Sequence, residues 1–228
     1  MISDPNIIAV EQIVVALGSL TDELLLVGGS AVGLLVDDPG ATPIRPTKDV
    51  DMVTEATPRT EYYKIEARLR EAGFVQPPST DVICRWSKGD IMLDLMPTDP
   101  SILGFTNTWY APAVRHPTRH RLPSGKHVAR ISAPYFLATK LESFAARGGG
   151  DFMQRDMEDI ITVIDGRASI DQEALDSPDD LRGFLRDEFE ALLSNAIFQD
   201  HLNWLLEPST ANHRRPIVLQ RLRHLAGL

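Results

Sequence analysis

Two short stretches of the sequence decide the fold: residues 27–30, Val-Gly-Gly-Ser, and residues 47–53, Thr-Lys-Asp-Val-Asp-Met-Val. The first predicts a glycine turn between a strand and a helix, whose N-terminal N–H groups can bind phosphate. The second predicts a strand on which Asp49 and Asp51 point to the same face, because side chains alternate along a strand. Two such carboxylates among apolar neighbours are unfavourable unless a cation compensates them. Together the stretches indicate a magnesium-dependent site that handles nucleotides.

A third carboxylate, Asp94, lies in the otherwise apolar run 91–96, Ile-Met-Leu-Asp-Leu-Met. Magnesium prefers oxygen ligands, and a second ion would activate an attacking oxygen. We therefore predict that Asp49, Asp51 and Asp94 bind two Mg²⁺ ions and carry the catalysis. The alternatives are a solvated Asp-x-Asp pair and a hydrogen-bonded, structural Asp94.

The glycine turn is predicted to bind the phosphates of a nucleoside triphosphate (NTP). Gly28 and Gly29 allow the backbone to approach phosphate closely, and Ser30 adds a hydroxyl and is expected to cap the following helix. The alternative is an ordinary turn without a ligand.

The pattern along the chain predicts a mixed α/β domain at residues 1–133 and a helical domain at residues 134–228. Glycine and proline positions and the spacing of apolar residues set the predicted elements. The predicted strands are 23–27, 49–53, 82–86, 91–96, 113–121 and 127–132. The predicted helices are 7–17, 31–35, 61–72, 134–147, 155–165, 178–193, 196–206 and 216–225, and residues 37–46 are predicted to form a loop.

Composition restricts the class of protein. The 228 residues carry a formal net charge of −9, which argues against a protein that coats nucleic acid without specificity. The single cysteine, Cys84, excludes an internal disulfide framework. Residues 1–5 show no basic start of a signal peptide, and the apolar run 24–36 is too short to span a bilayer. We therefore expect a cytoplasmic protein without a membrane partner.

The order of the motifs resembles the DNA polymerase beta superfamily of nucleotidyltransferases. In that pattern a hydrophobic residue precedes Gly-Gly or Gly-Ser, an Asp-x-Asp follows on a strand, and a third strand carboxylate comes later. Residues 27–30, 49–51 and Asp94 match it. The resemblance implies an α+β fold, with a mixed sheet and flanking helices followed by a C-terminal helical domain, and transfer of a nucleoside monophosphate from an NTP to a hydroxyl. The loop 37–46 is longer than is usual in the superfamily.

Residues 138–147 (ATKLESFAAR) and 155–160 (RDMEDI) are similar to the AbiEii-like group, whose toxin members belong to type IV toxin–antitoxin systems. This resemblance implies that Lys140, Arg147 and Asp156 belong to the nucleotide-binding site. It also implies that a tRNA end or another RNA is the acceptor and that a cognate antitoxin is a partner. The alternatives are an exposed helix lysine at 140 and a favourable helix-start charge at 156.

The residues do not identify the acceptor of the nucleoside monophosphate. Basic side chains at 115–121 and 126–130 would suit RNA or phosphate, but they would equally protect the edge of a hairpin from aggregation. A weaker basic patch is predicted from Arg214, Arg215, Arg221 and Arg223. Transfer to a small molecule of the aminoglycoside type, transfer to a protein hydroxyl, and a non-catalytic nucleotide-binding or antitoxin-like module are the alternatives.

Overall fold

The computed structural model describes residues 3–56, 59–78 and 82–228. Over these residues the strands are β1 (Leu25–Val27), β2 (Val50–Thr54), β3 (Arg85–Lys88), β4 (Ile91–Pro97), β5 (Thr118–Arg121) and β6 (His127–Arg130). They form one six-stranded sheet in the order β3-β4-β2-β1-β6-β5. β1 pairs with β6 and β2 with β4 in parallel, whereas the other pairs are antiparallel. The sheet is therefore mixed, and the predicted α+β class is confirmed.

Along the sequence, helices precede, separate and follow the strands. They are α1 (Ile7–Leu17), α2 (Val32–Leu35), α3 (Arg59–Glu71), α4 (Pro100–Leu103), α5 (Tyr110–Arg115), α6 (Ala133–Ala146), α7 (Arg155–Gly166), α8 (Ile170–Leu175), α9 (Asp179–Ser194), α10 (Ala196–His201) and α11 (Ala211–Leu225). Among the described residues, no helix combines the length and apolar character that crossing a membrane requires.

The chain divides into two compact units. The sheet unit comprises Pro5–Ala31 and Pro46–Ser132, and the helical unit comprises Ala133–Leu228 together with Val32–Arg45 and Asp4. The helical unit thus includes α2 and most of the loop that follows it, as well as the C-terminal helices. The predicted division into domains 1–133 and 134–228 remains a prediction.

In the sheet unit, α1 has the predicted bounds and contacts β2 and β4. On β2, Val50 and Met52 are buried, with 1% and 0% exposure, so that the intervening Asp51 points to the opposite face. The hydroxyl of Tyr62, on α3, donates to the carbonyl of Leu95 on β4 at 2.9 Å. These contacts fix the central strands, from which the carboxylates project.

In the helical unit, a buried ion network holds the segment that follows α2. The guanidinium of Arg214, on α11, binds the carboxylates of Asp165 (2.7 Å) and Asp38 (2.6 Å). The backbone N–H and the hydroxyl of Thr42 donate to the other oxygen of Asp165, at 2.7 and 2.9 Å. Asp165 has 0% exposure. The predicted loop is therefore anchored to two C-terminal helices, because these partners satisfy the buried charge.

The first predicted hairpin is present, but its first strand begins later than predicted. Val82 and Ile83 have 38% and 55% of their surface exposed, and the strand runs instead from Arg85 to Lys88. The turn consists of two residues, since Lys88 pairs directly with Ile91. Gly89 has a φ of +59°, which glycine adopts at little cost and which a two-residue hairpin turn requires.

The second predicted hairpin is shorter than expected. The prediction of a strand from 113 is wrong, because α5 continues to Arg115 and the strand begins at Thr118. Pro117 lies between them; proline disfavours helical geometry in the residue before it and so ends the helix.

The C-terminal helices differ from prediction at their bounds. The helix predicted at 216–225 begins five residues earlier, at Ala211, and accommodates Pro216 in its second turn. The segment predicted as one helix at 196–206 is α10 followed by a 3₁₀ turn at Leu202–Leu205. Two short helices, α4 and α8, are not predicted by the pattern; each is too short to give a clear apolar period.

Candidate active site

The sheet register aligns the two strand carboxylates predicted for the site. Asp51 pairs with Asp94 across β2 and β4, and Asp51 pairs on its other side with Val27 at the end of β1. Residues that are paired across strands project to the same face of a sheet. Asp49 directly precedes β2 and lies two residues from Asp51. The register thus sets Asp51 beside Asp94, with Asp49 two residues before Asp51, near the end of β1 where the glycine turn begins. These three residues are hereafter called the carboxylate cluster.

Gly28 lies directly against the carboxylate cluster. Its φ is +66°, and a Cβ atom placed on it would lie 2.6 Å from Cγ of Asp51. Real side chains do not tolerate this distance, so the position requires glycine for both conformation and space. The backbone of the turn therefore reaches the same point as the Asp51 side chain.

Gly29 and Ser30 are buried within a 3₁₀ turn, Gly29–Ala31, that leads into α2. The hydroxyl of Ser30 donates to the carbonyl of Val27 at 3.5 Å. The predicted capping role of Ser30 is wrong, because Ser30 lies inside this turn and α2 begins only at Val32. The predicted role of these residues in phosphate binding remains a prediction.

Arg85 is the unexpected component of the site. Its Nη2 donates to Oδ2 of Asp49 at 2.5 Å and to Oδ2 of Asp94 at 2.6 Å, and its Nε donates to Oδ1 of Asp94 at 2.8 Å. The hydrogen bond to Asp94 raises the pKa of Arg85 above its usual range. The side chains of Arg85, Asp49 and Asp94 are 21%, 31% and 10% exposed. A guanidinium therefore supplies positive charge to two members of the carboxylate cluster.

The donor set of the carboxylate cluster suits a divalent cation, since carboxylate oxygens are the ligands that Mg²⁺ prefers. Over residues 3–56, 59–78 and 82–228, however, no three His, Cys, Asp or Glu side chains are grouped so that they could hold a metal ion. Arg85 lies between Asp49 and Asp94, and its Nη2 binds an oxygen of each carboxylate. The predicted Mg²⁺ role remains a prediction.

The helical unit contains its own group of charges around α6 and α7. Nζ of Lys140 lies 3.1 Å from Asp156 and 2.7 Å from Asp159, and Arg147 also pairs with Asp156. Both carboxylates have only 3% exposure. Asp156 thus pairs with both Lys140 and Arg147. The binding of these two cations to nucleotide remains a prediction.

Arg45 joins this group from the end of the segment that follows α2. Its guanidinium lies 3.1 Å from Asp159 and 3.4 Å from Glu158. Three cations, Arg45, Lys140 and Arg147, therefore meet three of the four carboxylates of α7, which are Asp156, Glu158 and Asp159. A phosphate approaching these cations would replace carboxylate partners that they already have.

The basic hairpin forms one edge of the sheet. Arg119 and Arg121 lie on the edge strand β5 and are exposed, whereas Arg130, on β6, has 6% exposure and donates to the carbonyl of Ile131. Exposed cations at a strand edge suit either reading of this segment, namely binding of polyanions and protection of the edge.

Comparison with known proteins agrees with this architecture. The crystal structure of an antigenic nucleotidyltransferase-like protein from Paracoccidioides brasiliensis superposes with a TM-score of 0.50 at 20% sequence identity, over 84% of this chain and 90% of that chain. The fold is that of a nucleotidyltransferase-like protein. No protein-family model matches the chain, and no curated protein matches it. At this identity the likeness concerns the fold, and the AbiEii-like subgroup stays a prediction.

Sequence reasoning misses Arg85, although the pattern contains a signal for it. The observed hairpin turn has two residues, 89 and 90, and it pairs Arg85 with Asp94. The sequence predicts a four-residue turn at 87–90, which would instead pair Arg85 with the apolar Met92. The prediction of the weaker basic patch is also wrong in part. Arg214 has 8% exposure and Arg221 donates to the carbonyls of Ile164 and Asp165, so both are structural.

Proposed function

We propose that this protein is a divalent-metal-dependent nucleotidyltransferase that transfers a nucleoside monophosphate from an NTP to an acceptor hydroxyl. The observation that carries the proposal is the register Val27–Asp51–Asp94, which groups the carboxylate cluster beside the Gly28 turn. A Cβ atom at Gly28 would collide with the Asp51 carboxylate, so the backbone of the turn lies directly against a member of the carboxylate cluster. The nucleotidyltransferase-like fold agrees with this proposal.

The carboxylate cluster would hold the metal. A divalent cation bound there neutralises charge on the phosphate oxygens and polarises the phosphorus for attack. In our proposal Oδ2 of Asp94 takes the proton of the acceptor hydroxyl. The hydroxyl oxygen then forms a bond to the α-phosphorus, the bond between that phosphorus and the bridging oxygen breaks, and pyrophosphate leaves.

The backbone of Gly28 and Gly29 would bind the triphosphate, because glycine leaves N–H groups accessible to phosphate oxygens. Lys140 and Arg147 of the helical unit are proposed to bind nucleotide phosphate as well. Asp156 is proposed as the residue that orients them, since it contacts both cations. A glutamine at 140 would keep the size of the side chain but remove its charge.

The test is turnover with an NTP labelled at the α-phosphate, in the presence of Mg²⁺ and total RNA. Asp49→Asn and Asp94→Asn should each lower the transfer rate by at least about 100-fold, because even outer partners of a metal site cost about 10–100-fold. The matched control is Asp90→Asn, in the exposed turn between β3 and β4, which should retain the wild-type rate. Full activity in Asp94→Asn would refute the assignment.

For the acceptor, we propose an RNA end bound along β5. Changing both Arg119 and Arg121 to Ala should weaken RNA binding and reduce the slope of log affinity against log salt by about one unit for each phosphate that the protein no longer neutralises. Lys64→Ala, which removes an exposed cation from α3, is the control. An unchanged salt slope in the double variant would instead point to a small-molecule acceptor.

The AbiEii-like motifs at 138–147 and 155–160 extend the proposal to a toxin of a toxin–antitoxin system. Expression of the wild-type chain should then arrest bacterial growth, and expression of Asp49→Asn should not. Growth arrest by both proteins would show that any toxicity is independent of nucleotide transfer.

A further inference from the structure

Arg85 pairs with two members of the carboxylate cluster, Asp49 and Asp94. It uses two nitrogens to contact both oxygens of Asp94 and one oxygen of Asp49. The paired positions of Arg85 and Asp94 on neighbouring strands place the guanidinium there, and the hairpin turn at Gly89 sets that pairing. Arg85 is thus held beside the carboxylates by the fold and is not an incidental surface contact.

Arg85 and a divalent cation require the same oxygen atoms. One nitrogen, Nη2, bridges Asp49 and Asp94, so the gap between these two carboxylates is already spanned by positive charge. A second cation that coordinated these oxygens would meet the guanidinium at short range, where like charges repel strongly. Binding of Arg85 and binding of a metal ion at these oxygens therefore exclude each other.

We infer that Arg85 is an internal counter-ion that holds Asp49 and Asp94 in the metal-free protein and competes with the divalent cation for them. This inference rests on the proposed function, because it concerns the same carboxylate cluster. Displacement of Arg85 accompanies metal loading, and its cost lowers the affinity for the ion. The side chain of Arg85 retains 21% exposure, which gives the displaced guanidinium access to solvent.

Arg85 has a second consequence for the metal-free protein. Asp94 is 10% exposed and pairs in register with Asp51, so that removing the guanidinium leaves carboxylates facing each other. Like charges directly opposite on neighbouring strands destabilise a sheet. The metal-free protein therefore depends on Arg85 for stability, and the metal-loaded protein does not.

The experiment measures Mn²⁺ binding, by the electron paramagnetic resonance signal of the free ion, in the wild type, in three single variants and in one double variant. Arg85→Ala should bind Mn²⁺ about tenfold more tightly, since charge-assisted hydrogen bonds no longer compete for the oxygens. The Mn²⁺ affinity of Arg85→Lys should lie between those of the wild type and Arg85→Ala, because a single ammonium cannot reproduce the contacts of two nitrogens. Lys88→Ala, which removes a cation from the same strand, should bind within about twofold of the wild type.

Thermal unfolding gives the second readout. In EDTA, Arg85→Ala should unfold at a lower temperature than the wild type, and saturating Mn²⁺ should raise its midpoint more than it raises that of the wild type. If Arg85→Ala folds too poorly for titration, the Arg85→Lys affinity decides the question. Tighter binding by Arg85→Lys supports the competition, and unchanged or weaker binding overturns it.

The two proposals fail in different ways. If the wild type binds Mn²⁺ and the Arg85 variants bind it equally or less tightly, Arg85 is not a competitor and the proposed function stands. If neither the wild type nor Arg85→Ala binds Mn²⁺, both proposals are overturned. Adding Asp94→Asn to Arg85→Ala should abolish the gain in Mn²⁺ affinity. This loss would show that the additional affinity comes from binding at the carboxylate cluster.

Discussion

Replacement of Arg214 by alanine tests the anchoring of the segment that carries Arg45. Arg214 is 8% exposed and makes three close contacts. Its Nε lies 2.7 Å from Oδ1 of Asp165, its Nη2 lies 2.5 Å from the carbonyl oxygen of Asp165, and its Nη1 lies 2.6 Å from Oδ2 of Asp38. Alanine removes all three interactions and leaves the carboxylate of Asp165 buried.

The size of the effect follows from what remains around Asp165. Loss of one partner from a buried ion pair costs about 3–5 kcal/mol, because the other charge is left without compensation. Thr42 still donates two hydrogen bonds to Asp165, which favours the lower end of this range. The ion pair with Asp38 adds at most about 1 kcal/mol, since the side chain of Asp38 is 32% exposed. We therefore expect a loss of about 3 kcal/mol.

Urea unfolding followed by circular dichroism measures this loss. The control is Arg223→Ala, an exposed arginine of the same helix, which should change the free energy of unfolding by less than about 0.5 kcal/mol. Adding Asp165→Asn to Arg214→Ala should recover about 1–2 kcal/mol, because the buried charge is then removed. If Arg214→Ala unfolds within about 0.5 kcal/mol of the wild type, the buried network does not anchor the segment.

Three further outcomes are expected. Gly89→Ala should lose about 1 kcal/mol from strain at positive φ, since a Cβ atom there meets open space. Gly28→Ala should lose more, because its Cβ atom would also collide with the Asp51 carboxylate, and it alone should lose transfer activity; equal activity in both would contradict the site geometry. Burial, with a smaller contribution from Asp94, raises the pKa of Cys84 to about 12. At pH 8 a maleimide should therefore label this thiol only when the protein opens, and labelling within seconds would contradict the burial of Cys84. The hydrogen bond from Arg214 lowers the pKa of Asp38, so the ionised carboxylate stabilises the fold at pH values above its unfolded pKa of about 3.9. The difference in the free energy of unfolding between the wild type and Arg214→Ala should therefore shrink as the pH falls below about 3.9.

Much of the fold follows from local pattern. The helix at 7–17 matches α1 in both bounds because a continuous apolar face and a following glycine define it. The strand predicted at 49–53 is observed at Val50–Thr54, a displacement of one residue that leaves Asp49 just before it, since apolar alternation marks it clearly. Where local signals compete, the prediction is wrong: 113–115 has strand-forming neighbours, yet Ala113 is fully buried within a helix.

The sequence predicts the carboxylates of the candidate site but not the side chains that pair with them. Alternation along a strand places Asp49 and Asp51 on one face without knowledge of the rest of the protein. The partner of Asp94 depends on hairpin register, which a shift of two residues in the turn alters. The pairing of Arg214 with Asp165 joins residues 49 positions apart, and no local period indicates such a contact.

The buried network around Asp165 also sets an order of events during synthesis. The six strands of the described sheet lie between residues 25 and 130, so a ribosome has made the whole sheet before it begins the C-terminal helices. The segment 37–46 leaves the ribosome early, but its partners are 123 residues away for Thr42 and 176 residues away for Asp38. Closing so long a loop costs entropy that only the finished network offsets. This segment must therefore wait for α11, and a nascent chain that ends before residue 214 lacks the arginine that neutralises Asp165.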